Sequence, residues 1–133
     1  DYYGIDPAGK RVAVVGRSLV IGRPAALLLT RADATVTLCH RKTPDLAARC
    51  RAADILLAAA GAPGLITPEC VRPGQIVLDA GATALPDGTL RGDVTPAAAA
   101  IAACTPVPGG IGSVTTALLL RHTVQAAEKS HHF

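Results

Sequence analysis

The stretch Arg11-Val-Ala-Val-Val-Gly-Arg-Ser-Leu-Val-Ile-Gly22 decides how the rest of the chain is read. A short apolar run, rich in valine, ends at Gly16, and a helix-forming run opens at Pro24, where a missing N–H costs nothing in a first turn. A strand that breaks at glycine into a helix N-terminus collects backbone N–H groups and the positive end of the helix dipole at one place. The missing Cβ lets an anion come close. The turn from Gly16 to Gly22 therefore reads as a phosphate site. It departs from the G-x-G-x-x-G spacing, because Ser18 stands for the second glycine and one extra residue precedes Gly22. The Ser18 hydroxyl suits a phosphate; a nucleophilic serine would need the tighter G-x-S-x-G elbow and a base.

Outward from this turn, strands and helices alternate. Ala26, Leu27, Leu28 and Leu29 give the first helix a face to bury, and Ala34-Thr-Val-Thr-Leu-Cys39 is a second strand. A short helix spans Pro44 to Arg51, with Asp45 in its first turn. Asp54 to Ala58 and Gln75 to Asp79 are the third and fourth strands. Thr67-Pro68 and Thr95-Pro96 are two cap-plus-proline helix starts. Pro86-Asp87-Gly88 marks a hairpin or arm within residues 82–94. After a last short strand and the stiff loop Thr105-Pro-Val-Pro-Gly-Gly110, the longest helix runs to Lys129, with Val114, Leu118 and Leu119 on one face. Residues 130–133 form a tail outside the fold. This alternation predicts an α/β, Rossmann-type doubly wound, mainly parallel sheet with helices on both faces. The ends of strands one and four are expected side by side at the ligand crevice.

Composition sets limits on this reading. The 133 residues make one domain; half are apolar but only 2% aromatic, so Ala, Val, Leu and Ile fill the core. A net charge of +3, without a basic run interleaved with aromatics, argues against nucleic acid. No apolar run reaches the roughly 18 residues of a membrane span, and the amino end carries no signal-peptide pattern, so the expected location is cytoplasmic. Cys39, Cys50, Cys70 and Cys104 form no C-x-x-C pair and share no ligand spacing with histidine. They are expected to be buried structural thiols, not metal ligands or disulfides.

The end of the second strand bears on the ligand. An NAD site places a carboxylate there for the ribose hydroxyls, whereas this chain has His40-Arg41-Lys42-Thr43. With Arg17 in the glycine turn, two guanidiniums can grip a 2′-phosphate through charge-assisted, bidentate hydrogen bonds. The expected cofactor is NADP.

Several segments together carry a resemblance: Tyr3-Gly-Ile-Asp6, Val14-Val-Gly-Arg-Ser18, Val20-Ile-Gly-Arg-Pro24 and Ala34 to His40. Gly61-Ala-Pro-Gly64, Gly88-Thr-Leu-Arg-Gly-Asp-Val94 and Thr105-Pro-Val-Pro-Gly-Gly-Ile-Gly112 continue it. In order and in register, from about Tyr3 to Glu128, the chain resembles the nucleotide-binding domain of bifunctional methylenetetrahydrofolate dehydrogenase/methenyltetrahydrofolate cyclohydrolases. The resemblance implies that Gly16, Arg17, Ser18 and Ile21 line the cofactor phosphates. His40, Arg41 and Thr43 would surround the adenosine ribose. Ala60, Gly61 and Gly81 would border the adenine and nicotinamide ends, and Pro106, Pro108, Gly109, Gly110, Ile111 and Gly112 would close over nicotinamide and folate. It further implies a homodimer to which the arm contributes.

By the same resemblance, the catalytic lysine, its tyrosine partner and the folate-binding aspartate belong to an amino-terminal catalytic domain absent from this chain. Residues 1–10 are then the end of the interdomain connection and 11–129 the NAD(P)-binding domain. No catalytic residue is expected here; Lys10 only leads into the first strand. Two departures stand out. Ser113 and Val114 replace the family's usual Pro and Met, loosening a loop set against folate, and Asp79-Ala80-Gly81 replaces its Asp-Val-Gly. Two functions are expected in competition. In one, the chain is the NADP-binding part of an enzyme that oxidises 5,10-methylenetetrahydrofolate to the methenyl form and hydrolyses that to 10-formyltetrahydrofolate. In the other, it is a stand-alone nucleotide-binding or regulatory module without catalysis.

Overall fold

The computed structural model describes residues 3–130; the expectations that fall on Asp1, Tyr2 and residues 131–133 lie outside them. Strands β1 (Arg11–Val15), β2 (Thr35–Cys39), β3 (Ile55–Ala58), β4 (Ile76–Asp79) and, after a hairpin, β7 (Ala103–Cys104) form one parallel sheet in the order β2-β1-β3-β4-β7. The hairpin β5 (Thr83–Ala84) and β6 (Leu90–Arg91) stands apart as an antiparallel pair closed over Pro86-Asp87-Gly88. The helices are α1 (Gly22–Arg31), α2 (Leu46–Ala52), α3 (Pro96–Ala99) and α4 (Ile111–Ser130), with a single 3-10 turn at Pro68–Cys70.

The central strands are apolar on both faces because both are covered. Val12, Val14, Ile55 and Leu57 pack beneath Ala25, Ala26 and Leu29 of α1. Ala13, Val15, Leu56, Ala58 and Val77 face the other way, onto Cys50 and Ala53 of the α2 region, Cys70 of the 3-10 turn and Ala98 of α3. The sheet is thus doubly wound, as expected from the alternation of elements.

Four local expectations are corrected. β3 lies between β1 and β4, so their ends are not neighbours. The strand order reverses between β1 and β3, because the chain leaves β1 toward β2 and then crosses back, and the crevice opens there. In α1, Leu27 and Leu28 are 69% and 63% exposed, since four consecutive residues at 100° each cannot share one face. Asp45 sits before α2 as its N-cap, in the left-handed region at φ 49°, with its carboxylate accepting from the Ala48 N–H at 3.2 Å. Thr67 makes no side-chain cap, and its helix stops after one 3-10 turn, whereas Thr95 caps α3 through the Ala98 N–H at 3.2 Å.

α4 is the longest helix, as expected, and extends through Ser130, one residue into the expected tail. Its Val114, Leu118 and Leu119 face is not covered: no residue of α4 is buried among the described residues.

Candidate functional site

β1 ends at Gly16, which adopts φ +113° and lies so close to β3 that a Cβ would overlap the Ala59 carbonyl oxygen. Only glycine combines that torsion with that approach. The loop that follows is organised by Ser18. Its Oγ accepts from the Ile21 and Gly22 N–H groups at 3.1 and 3.4 Å, and its carbonyl accepts from the Arg23 N–H. With Pro24 lacking an N–H, the first turn of α1 has little left to offer an anion. The free donors are instead the N–H groups of Arg17, Ser18, Leu19 and Val20, which have no acceptor among the described residues. The candidate anion site is therefore the loop more than the helix end, and Ser18 shapes that loop while keeping its own hydroxyl proton for donation.

At the end of β2, the His40 N–H donates to Thr43 Oγ1 at 2.8 Å and the Thr43 N–H donates back to the His40 carbonyl. The Lys42 N–H donates to His40 Nδ1 at 3.2 Å, so that nitrogen presents its lone pair inward. This closed turn lifts Arg41 and Lys42 toward Arg17 across a cavity of about 700 Å³. The cavity is bounded by Val15, Gly16 and Arg17 from β1 and its turn, His40 to Thr43 from the β2 end, and Ala60 from the β3 end. No carboxylate lines it, and among the described residues Arg17, Arg41 and Lys42 have no ion-pair partner. The site is cationic and unneutralised.

A second cavity, about 460 Å³, lies at the end of β4. Ile21 from the glycine turn, Gly81 after β4 and the loop from Pro106 to Gly112 border it, so Pro106, Pro108, Gly109, Gly110, Ile111 and Gly112 are gathered together. Of the expected residues, Gly16, Arg17, His40, Arg41, Thr43 and Ala60 share the first cavity. Ile21 and Gly81 join the second instead. Ser18 and Gly61 line neither; Ser18 works through the loop's hydrogen bonds, and the Gly61 N–H is held by Asp93.

Sequence reasoning missed several residues. Leu46 of α2, Ala62 and Leu65 form the apolar wall of the first cavity, and Asp79, Leu90, Thr115 and Thr116 line the second. Lys42 was visible within the cationic tetrad. Leu46 and Leu65 carry no local signal, because they reach the cavity only through the packing of α2 and the β3 loop. The cysteines take no part in either cavity. Cys39, Cys50 and Cys70 are buried and Cys104 is half-buried, all as free thiols. Burial, and then the neighbouring Cys70, pushes the Cys50 thiol up to about 12, and burial also raises Cys39 and Cys104, so these thiols stay protonated near neutrality.

Known proteins resemble this chain over nearly all of its length. Residues 1–131 match the family model described as the tetrahydrofolate dehydrogenase/cyclohydrolase, NAD(P)-binding domain. The bifunctional protein FolD of Chloroflexus aurantiacus is 57% identical over 126 residues, covering 93% of this chain and 44% of that protein. FolD of Moorella thermoacetica is 51% identical over 128 residues, covering 95% and 46%. Among solved structures, the Campylobacter jejuni FolD enzyme superposes with a TM-score of 0.90 at 42% identity, over 96% of this chain and 46% of that one. The Trypanosoma brucei methylenetetrahydrofolate dehydrogenase-cyclohydrolase, solved with NADP cofactor and an inhibitor, gives 0.88 at 43% identity, over 97% and 47%. The chain thus spans about half the length of the relatives it matches. With a doubly wound sheet, a Gly-Arg-Ser turn at its switch point and a family match over nearly all of its length, this chain belongs to the tetrahydrofolate dehydrogenase/cyclohydrolase NAD(P)-binding domain family.

Proposed function

We propose that this chain is the NADP-binding part of an enzyme that oxidises 5,10-methylenetetrahydrofolate to 5,10-methenyltetrahydrofolate and hydrolyses the product to 10-formyltetrahydrofolate. The observation that carries the reading is the first cavity: Arg17, Arg41 and Lys42 around one opening, with no carboxylate in its lining. The residues present fit the cofactor. Gly16 leaves the space that a Cβ would fill, four loop N–H groups are free for phosphate oxygens, and the cations of the lining supply charge that suits a 2′-phosphate. Leu46, Ala62 and Leu65 offer an apolar wall to an adenine ring.

Bound NADP+ supplies the hydride acceptor. This chain's own residues bind and orient it: the loop Arg17–Val20 takes the phosphates, the His40–Thr43 turn takes the ribose end, and Gly81 with Pro106–Gly112 form the floor for the nicotinamide and the folate. The second cavity is open and holds no lysine, consistent with proton transfer by a catalytic domain of the same protein that precedes residue 1. The twofold length of the relatives favours this division over a stand-alone nucleotide-binding module. Residues 1–10 then form the end of the connection between the domains. The protein works in the cytoplasm as a homodimer to which the β5–β6 arm contributes.

The test compares the 133-residue chain with the full-length protein. The chain alone is expected to bind NADP+ yet reduce it negligibly with methylenetetrahydrofolate, and the full-length protein to turn over. Substantial dehydrogenase activity from the chain alone would overturn the division of labour.

A further inference from the structure

Two buried carboxylates lie between the cavities without lining the first, and neither has a cation within ion-pair distance among the described residues. Asp93 is fully buried. Its Oδ2 accepts from the Ala60 and Gly61 N–H groups at 2.6 and 3.0 Å, and its Oδ1 accepts from the Ala62 N–H at 2.7 Å. Three successive N–H groups converging on one anion form a nest, and here the anion comes from 31 to 33 residues along the chain. Asp79, the last residue of β4, holds Asp93 in turn. Its Oδ1 accepts from the Asp93 N–H at 3.0 Å and its Oδ2 from the Val94 N–H at 3.0 Å. The packing leaves no slack, because the two carboxylates fill the space that a Cβ would take at Gly81 and Gly92.

The series therefore runs from the β3 end, through Asp93 and Asp79, to the β4 end. Ala60 and Ala62 belong to the first cavity, Asp79 and Gly81 to the second. On the opposite side of the Ala59–Ala60 peptide from Asp93, the carbonyl rests on Gly16, as a trans peptide requires. One buried brace thus fixes both cavities relative to the phosphate turn. A ligand that occupies one cavity alone needs only local walls; a dinucleotide that spans both needs the distance between them.

We propose that Asp93, held by Asp79, is a positioning residue that sets the spacing of the two half-sites and so determines affinity for the whole dinucleotide. The inference rests on the NADP reading above. Its test measures the dissociation constants of NADP+ and of adenosine 2′,5′-bisphosphate, which reaches only the first cavity, for the full-length protein and its Asp93→Asn variant. Asparagine keeps the shape but sets an amide donor against a backbone N–H, so the brace opens. The expected result is a loss of about tenfold or more for NADP+ and a loss several times smaller for the bisphosphate. Asp79→Asn, which loosens the brace from its other end, is expected to show the same inequality and serves if Asp93→Asn does not fold. Equal losses for the two ligands, or none, in whichever variant folds would overturn the spacing role while leaving the cofactor reading standing. A wild-type protein that binds no NADP+ would overturn both.

Discussion

Gly16 has two constraints at once, a φ of +113° and contact with the Ala59–Ala60 peptide, and these act on stability and ligand binding together. Gly16→Ala is expected to cost about 2–5 kcal/mol, from torsional strain plus overpacking, and to abolish cofactor binding. Thermal denaturation and a ligand titration check the two effects separately. Arg17 and Arg41 are both exposed, and neither packs in the core, so the proposed role in cofactor choice can be tested apart from stability. Replacing both by Ala is expected to leave the melting temperature nearly unchanged and to weaken NADP+ by about 10- to 100-fold, with little effect on NAD+. Parallel titrations with the two cofactors read this directly. Loss of both affinities together would mean that the arginines hold the shared pyrophosphate, not the 2′-phosphate.

At the scale of elements, the amino-terminal end of the sheet, opposite the cavities, is tied by charge. Arg11 at the start of β1 donates through Nη2 to Asp54 Oδ1 at 2.8 Å, and through Nε and its backbone N–H to Oδ2; Arg72 Nη2 reaches Oδ1 at 3.0 Å. Hydrogen bonds from Arg11, and then the charges of Arg11 and Arg72, hold the Asp54 carboxyl well below the usual range. A depressed folded-state value means that the contribution to stability is fully present above the ordinary carboxylate pKa of about 3.9. It is lost as pH falls from there through the folded-state value. Wild-type stability is therefore expected to drop more steeply below about pH 4 than that of Asp54→Asn, as urea midpoints across the acid range would show. β1 to β4 were legible in the sequence because their short apolar runs, β-branched in β1 and β2, are followed within a few residues by Gly16, His40, Gly61 and Gly81. The order of β3 and β4 was not, since every crossover here is compatible with more than one neighbour. The glycine turn and the cationic tetrad were legible as local patterns. Asp93 was not, because its partners lie about thirty residues away and only the fold brings three N–H groups onto one carboxylate.

Across the whole molecule, two cavities open at the carboxyl end of the sheet, a buried pair of carboxylates joins them, and α4 extends beyond with Val114, Leu119, Leu120 and Val124 more than half exposed. A helix with no buried residue depends on its own propensity, which is marginal in water. In the 133-residue chain, α4 amides are expected to exchange hydrogen within seconds to minutes, whereas β1 and β3 amides are protected for far longer. In a full-length protein with the proposed amino-terminal catalytic domain, α4 is expected to gain protection as that domain covers those leucines; unchanged exchange would count against that packing. The Arg17–Arg41 cavity is proposed to bind a 2′-phosphorylated dinucleotide. Calorimetric titration of the wild-type chain with NADP+ and with NAD+, at the same ionic strength, decides this. NADP+ is expected to bind at least about tenfold tighter, with the preference shrinking as salt rises; equal affinities, or tighter binding of NAD+, would rule out a 2′-phosphate site there.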